Sequence, residues 1–105
     1  MPPTAQVMFA EVNADGSEAL AFPKGTGYTS STLETGEYEV DFNTRVLTTC
    51  AYVATVGPAA SSGGGSASGY ATVAPRSGNS HAVYVETFST TGALANEPFH
   101  LVVTC

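Results

Sequence analysis

The stretch Gly36-Glu37-Tyr38-Glu39-Val40-Asp41-Phe42 alternates without a fault. Tyr38, Val40 and Phe42 fall on one side; Glu37, Glu39 and Asp41 fall on the other. Only a β-strand, with its period of two, separates these sets onto two faces. One face belongs to a core and the other to water, which is the habit of an antiparallel sheet. Thr49-Cys50-Ala51-Tyr52-Val53-Ala54-Thr55-Val56 reads as the next strand and carries one of the two cysteines.

Working outward, the rest of the chain repeats this pattern in short runs. Gln6 to Val12 predicts a first strand, with Val7 and Phe9 opposite Met8, Ala10 and Val12. Asp15-Gly16 supplies the positive φ of a tight hairpin. Glu18 to Phe22 returns, and Pro23 to Gly27 breaks the run. Tyr28 to Leu33, mostly Thr and Ser, predicts an exposed or edge strand. Tyr70 to Ala74 predicts a short strand stopped by Pro75. His81 to Phe88 sets Val83 and Val85 opposite Tyr84 and Glu86. Phe99 to Cys105 closes the chain with Phe99, Leu101, Val103 and Cys105 on one face. Helical periodicity is absent. Seven or eight short strands at this spacing predict an all-β fold: an antiparallel, jelly-roll-like β-sandwich.

The 105 residues predict one domain, 1–105. Such a chain buries roughly two-thirds of its unfolded surface, enough for a single core. Gly57 to Gly69 is Gly, Ser and Ala with one Pro, too poor in apolar surface to order itself, and predicts a flexible loop. The net charge of −6, with only Lys24, Arg45 and Arg76 basic, argues against nucleic acid and anionic membranes. No apolar run approaches the roughly 20 residues of a spanning helix, so membrane insertion is not expected. The start, Met1-Pro2-Pro3-Thr4, has neither the charged nor the apolar region of a signal peptide. The chain is then cytosolic, or a mature or excised piece of a secreted product, or it leaves the cell in a particle.

Cys50 and Cys105 have two readings. Outside the cell they form a disulfide, and the alternative is two buried free thiols. The disulfide is preferred. No Cys-x-x-Cys or histidine pair stands near either, so no metal site is expected. His81 and His100 lack a nucleophile elbow, and no catalytic residue or cofactor is expected. Glu37, Glu39 and Asp41, with Glu34 nearby, form an acidic row that reads as a solvated face, because ligands on one extended strand diverge rather than converge on calcium. Tyr28, Tyr70 and Tyr84 are candidates for stacking on sugars. With Arg76 and His100 they make the set of candidate ligand or interface contacts.

Gly36-x-Tyr38-x-Val40-x-Phe42 is similar to the Gly-x-Tyr-x-Phe/Val-x-Phe signature of C1q-like jelly rolls. The wider pattern adds Cys50-Ala51-Tyr52-Val53-Ala54-Thr55, Ala74-Pro75-Arg76-Ser77-Gly78-Asn79 and Phe99-His100-Leu101-Val102-Val103-x-Cys105. It resembles a family of small β-domains from actinobacteria and their phages, often at the C-terminal end of longer, tail-fibre-like chains. The resemblance covers most of residues 5 to 105, and the likeness to C1q heads implies a compact homotrimer with ligand contacts on loops. No functional residue is carried over from it. The expectation is a non-enzymatic head or capping domain of an extracellular or virion fibre, mediating trimerisation and adhesion or glycan recognition. The alternative is a purely structural, self-assembling pilus, fibre or shell component without a ligand.

Overall fold

The alternating runs are strands: β1 Val7–Val12, β2 Glu18–Phe22, β3 Thr29–Glu34, β4 Glu37–Asp41, β5 Ala51–Val56, β6 Tyr70–Pro75, β7 Ala82–Phe88 and β8 Phe99–Thr104. The computed structural model describes residues 7–22, 29–42, 46–47, 49–58 and 69–105, with the backbone alone at 18–22 and 29. Among these residues there is no helix. The strands form two antiparallel four-stranded sheets, ordered β2-β1-β8-β5 and β3-β4-β7-β6. Hairpins join β1 to β2, β3 to β4 and β6 to β7 within a sheet; the other connections cross between sheets. The protein is an all-β sandwich.

The period of two explains the core. Met8, Ala10 and Val12 from β1 and Phe99, Leu101 and Val103 from β8 face inward from the first sheet. Tyr38, Val40, Val83 and Val85 face them from the second, with Phe42 just past the end of β4. All of these are at most 1% exposed. Tyr38 meets Phe99 edge to face, with ring centroids 5.0 Å apart, a preferred aromatic geometry. Its hydroxyl donates to the Ala14 carbonyl at 2.7 Å, so the buried phenol is satisfied. Val7, by contrast, stands 51% exposed on the outer face.

Two local features anchor β4. Gly36 adopts φ 73°, and a Cβ there would sit 2.8 Å from the Thr87 carbonyl oxygen and 2.9 Å from the Ala95 nitrogen. Both the backbone and the space require glycine. Its amide donates to Asn96 Oδ1 at 2.7 Å, and its carbonyl accepts from Thr87 N at 2.8 Å. Thus the turn into β4 is tied to the β7–β8 connection.

Several sequence expectations are corrected. Cys50 and Cys105 do not lie in strands: Cys50 precedes β5 and Cys105 follows β8. Cys50 packs against the core, while Cys105 is exposed. They are bonded, with Cα atoms 4.2 Å apart, because β5 and β8 are hydrogen-bonded neighbours in register from Ala51↔Thr104 to Val56↔Phe99. Pro75 does not stop β6 but is its last residue. β6 is an edge strand, where a missing N–H costs no ladder bond. Gly57 donates its amide to the Pro98 carbonyl at 3.0 Å, and His100 Nε2 lies 3.0 Å from the Pro58 carbonyl oxygen. Residues 59–68 of the predicted loop lie outside the described residues. Leu47, unremarked in the sequence, is 1% exposed and plugs the end of the sandwich beside Cys50, where its carbonyl accepts from the Tyr52 hydroxyl at 2.7 Å.

Candidate recognition groove

The outer face of the second sheet carries the chain's chemistry. Register places Glu34 opposite Glu37 and Glu37 opposite Glu86. The next row sets Ser31 opposite Glu39 and Glu39 opposite Tyr84. The acids predicted along one strand are therefore also stacked across three. Like charges directly opposite repel, so this arrangement does not serve stability.

The sheet answers part of that repulsion. Arg76, just past β6, donates Nε to Glu39 Oε1 at 2.9 Å. Asn79 Nδ2 donates to Glu39 Oε2 at 3.1 Å and to Asp41 Oδ2 at 3.0 Å. Asn79 is oriented by His81, whose amide donates to its Oδ1 at 3.0 Å. The solvated acidic face expected from the sequence is thus corrected at Glu39 and Asp41, which are knitted to the β6–β7 turn. A local reading of β4 has no access to partners 37 to 40 residues away.

Beside this network lies an open groove of about 430 Å³, lined by Leu33, Glu34, Glu37, Pro75, Arg76, Ser77 and Tyr84. The Tyr84 hydroxyl donates to Glu86 Oε2 at 3.0 Å. Burial first, then the Glu86 and Glu37 carboxylates, push its phenol up to about 12. It stays protonated at neutral pH and acts as a donor, not as a base. The groove therefore offers guanidinium and hydroxyl donors, carboxylate acceptors and two apolar patches, Leu33 and Pro75. Neither histidine lines it. Among the described residues no three His, Cys, Asp or Glu side chains are grouped to hold a metal ion.

The candidate contacts separate accordingly. Arg76 and Tyr84 meet in the groove. Tyr70 lies on the same outer face but stacks on Phe88, with centroids 4.8 Å apart and planes 12° from parallel, and is 47% exposed. His100 lies on the other sheet, against Pro58. Tyr28 falls outside the described residues. Leu33, Pro75 and Ser77 were missed by sequence reasoning, because only the pairing of β3 and β6 around β4 and β7 brings them together. Comparison with known proteins finds no matching family model, no matching curated protein and no matching solved structure.

Proposed function

We propose that this chain is a non-enzymatic head or capping domain of an extracellular or virion fibre, which associates with copies of itself and recognises a glycan. The observation that carries the reading is the groove at Arg76, Ser77, Tyr84, Glu34 and Glu37. Convergent donors and acceptors around small apolar patches suit a hydroxyl-rich ligand, whose hydroxyls both donate and accept. The disulfide supports an oxidising destination. A trimer is the order implied by the C1q-like signature. Val7, Val53 and Val102, exposed on the outer face of the first sheet, favour a second reading, a structural fibre or shell component that assembles without a ligand.

A glycan array and a pull-down against cell-wall material test the ligand. The wild-type chain is expected to be retained. The double variant Glu37→Gln/Tyr84→Phe should lose roughly tenfold in affinity or more, since each lost hydrogen bond is worth about 1 kcal/mol. Tyr70→Ala should retain binding. Retention of none of the glycans leaves the structural reading in place of the adhesive one. Release of a cleaved glycan would overturn the non-enzymatic assignment.

A further inference from the structure

Arg76 follows directly on β6, and its backbone is held on both sides. Its amide donates to the Ala82 carbonyl at 3.3 Å, and its carbonyl accepts from the Asn79 amide at 3.1 Å. The side chain is held as well. Nε donates to Glu39 Oε1 at 2.9 Å. Glu39 accepts in turn from Asn79 Nδ2 at 3.1 Å, and Asn79 is fixed by the His81 amide at 3.0 Å. The ion pair uses one edge of the guanidinium only. The Nη nitrogens have no hydrogen-bond partner among the described residues, although the side chain is only 32% exposed and lines the groove. A planar fork, oriented by its Nε, thus keeps its Nη end for a ligand.

The Nη end presents N–H donors side by side, a match for two oxygens on neighbouring atoms. A carboxylate offers such a pair, and so does the vicinal diol of a sugar. Charge separates the two. Glu39 already balances the guanidinium. Glu34 and Glu37 line the same groove, opposite one another in register, and Arg76 is the one base among the described residues that line it. A carboxylate would enter an acidic site on a chain that carries −6. A diol takes the same donors without adding charge, and its hydroxyls can also donate to Glu34 and Glu37. Leu33 and Pro75 supply apolar contact for the C–H face of a ring. The groove, about 430 Å³, falls within the roughly 300–1,000 Å³ of small-ligand sites.

We infer that the groove takes a neutral sugar, that the Nη end of Arg76 reads a vicinal diol on it, and that acidic sugars are rejected. Arg76 determines specificity, and Glu39 is its positioning residue. This rests on the glycan reading above and names the class of glycan.

Amide-shift titration of the full chain with methyl glycosides of glucose, mannose and galactose tests it. Each is compared with its 3-deoxy form, which keeps no vicinal pair of hydroxyls, and with its C6-oxidised uronic acid. At least one parent glycoside should bind, with its 3-deoxy and uronic acid forms about tenfold weaker or more. Arg76→Lys keeps the charge and a partner for Glu39 but has no fork, and should lose about tenfold for the parent. Glu39→Gln leaves the guanidinium charge unbalanced. It should shift the ratio of parent to uronic acid affinity about tenfold toward the acid, which disturbed packing alone would not do. Near-UV circular dichroism monitors folding of both variants. A uronic acid bound as tightly as its parent, or an unmoved ratio in Glu39→Gln, overturns the neutral class. A 3-deoxy form bound as tightly as its parent, or unchanged binding in Arg76→Lys, overturns the diol contact. Each of these leaves glycan recognition standing. Binding of none of the parent glycosides overturns the inference, and a glycan array that is silent as well overturns the reading on which it rests.

Discussion

Replacing Tyr38 by Phe removes one hydroxyl at the centre of the fold, whose shortest hydrogen bond is to the Ala14 carbonyl. Tyr38 is fully buried, and its ring contact with Phe99 survives the change. What is lost is the 2.7 Å donation to the Ala14 carbonyl, which ties β4 to the β1–β2 turn. The Asn96 Oδ1 atom lies farther from the hydroxyl, at 3.4 Å, and already accepts the Gly36 amide. The cost is one hydrogen bond plus an acceptor left partly unsatisfied, about 1.5 kcal/mol. For a domain of this size that lowers the melting temperature by roughly 7 °C. Urea unfolding should show an earlier midpoint with an unchanged slope. Asn96→Ala should cost a similar amount by stranding the Gly36 amide, and the two changes should couple by about 0.5 kcal/mol or more, because the Tyr38 hydroxyl and Asn96 Oδ1 share one network. A loss below about 0.3 kcal/mol for Tyr38→Phe would show that the hydroxyl is not bonded as described. A loss above about 3 kcal/mol would mean that the ring, too, has lost its packing.

Replacing both cysteines by Ser should lower stability by about 4 kcal/mol in the chain-entropy model, given a separation of 55 residues; denaturant titration beside the oxidised protein checks it. Gly36→Ala should cost more than about 2 kcal/mol, since a left-handed backbone and two close backbone atoms oppose the Cβ. Alkaline pH should destabilise the fold through Tyr84. Its folded value is raised above 10.0, so its contribution is fully present below pH 10 and lost as pH climbs toward 12. Burial raises Tyr38 and Tyr52 as well, so absorbance of tyrosinate followed through that window, with Tyr84→Phe as reference, should show one of several late-titrating phenols disappear in the variant.

Much of the architecture was legible because burial in a sandwich is written with a period of two. Tyr38, Val40 and Phe42 declare their face, and so do Phe99, Leu101 and Val103. The Ser and Thr of β3 correctly place it at an edge. The cysteines signal a cross-link, and the neighbouring positions of β5 and β8 explain it. What alternation does not encode is contact made outside strands. Leu47 is buried from a segment with no periodicity, held by its amide to the Ser80 carbonyl at 2.8 Å. Arg76 and Asn79 reach Glu39 across the sheet, so the acidic row is partly paired rather than simply wet. The groove itself is a product of strand order: Leu33 on β3 and Ser77 just past β6 line it from either side of β4 and β7.

The recognition claim is tested most directly by mapping amide chemical shifts in the labelled protein as an oligosaccharide retained on the array is added. The account predicts that shifts gather at Leu33, Glu34, Glu37, Ser77 and Tyr84, with the Val53 and Val102 amides unmoved. Shifts gathered at Tyr70 and Phe88, or on the outer face of the first sheet, with the groove silent, would contradict it.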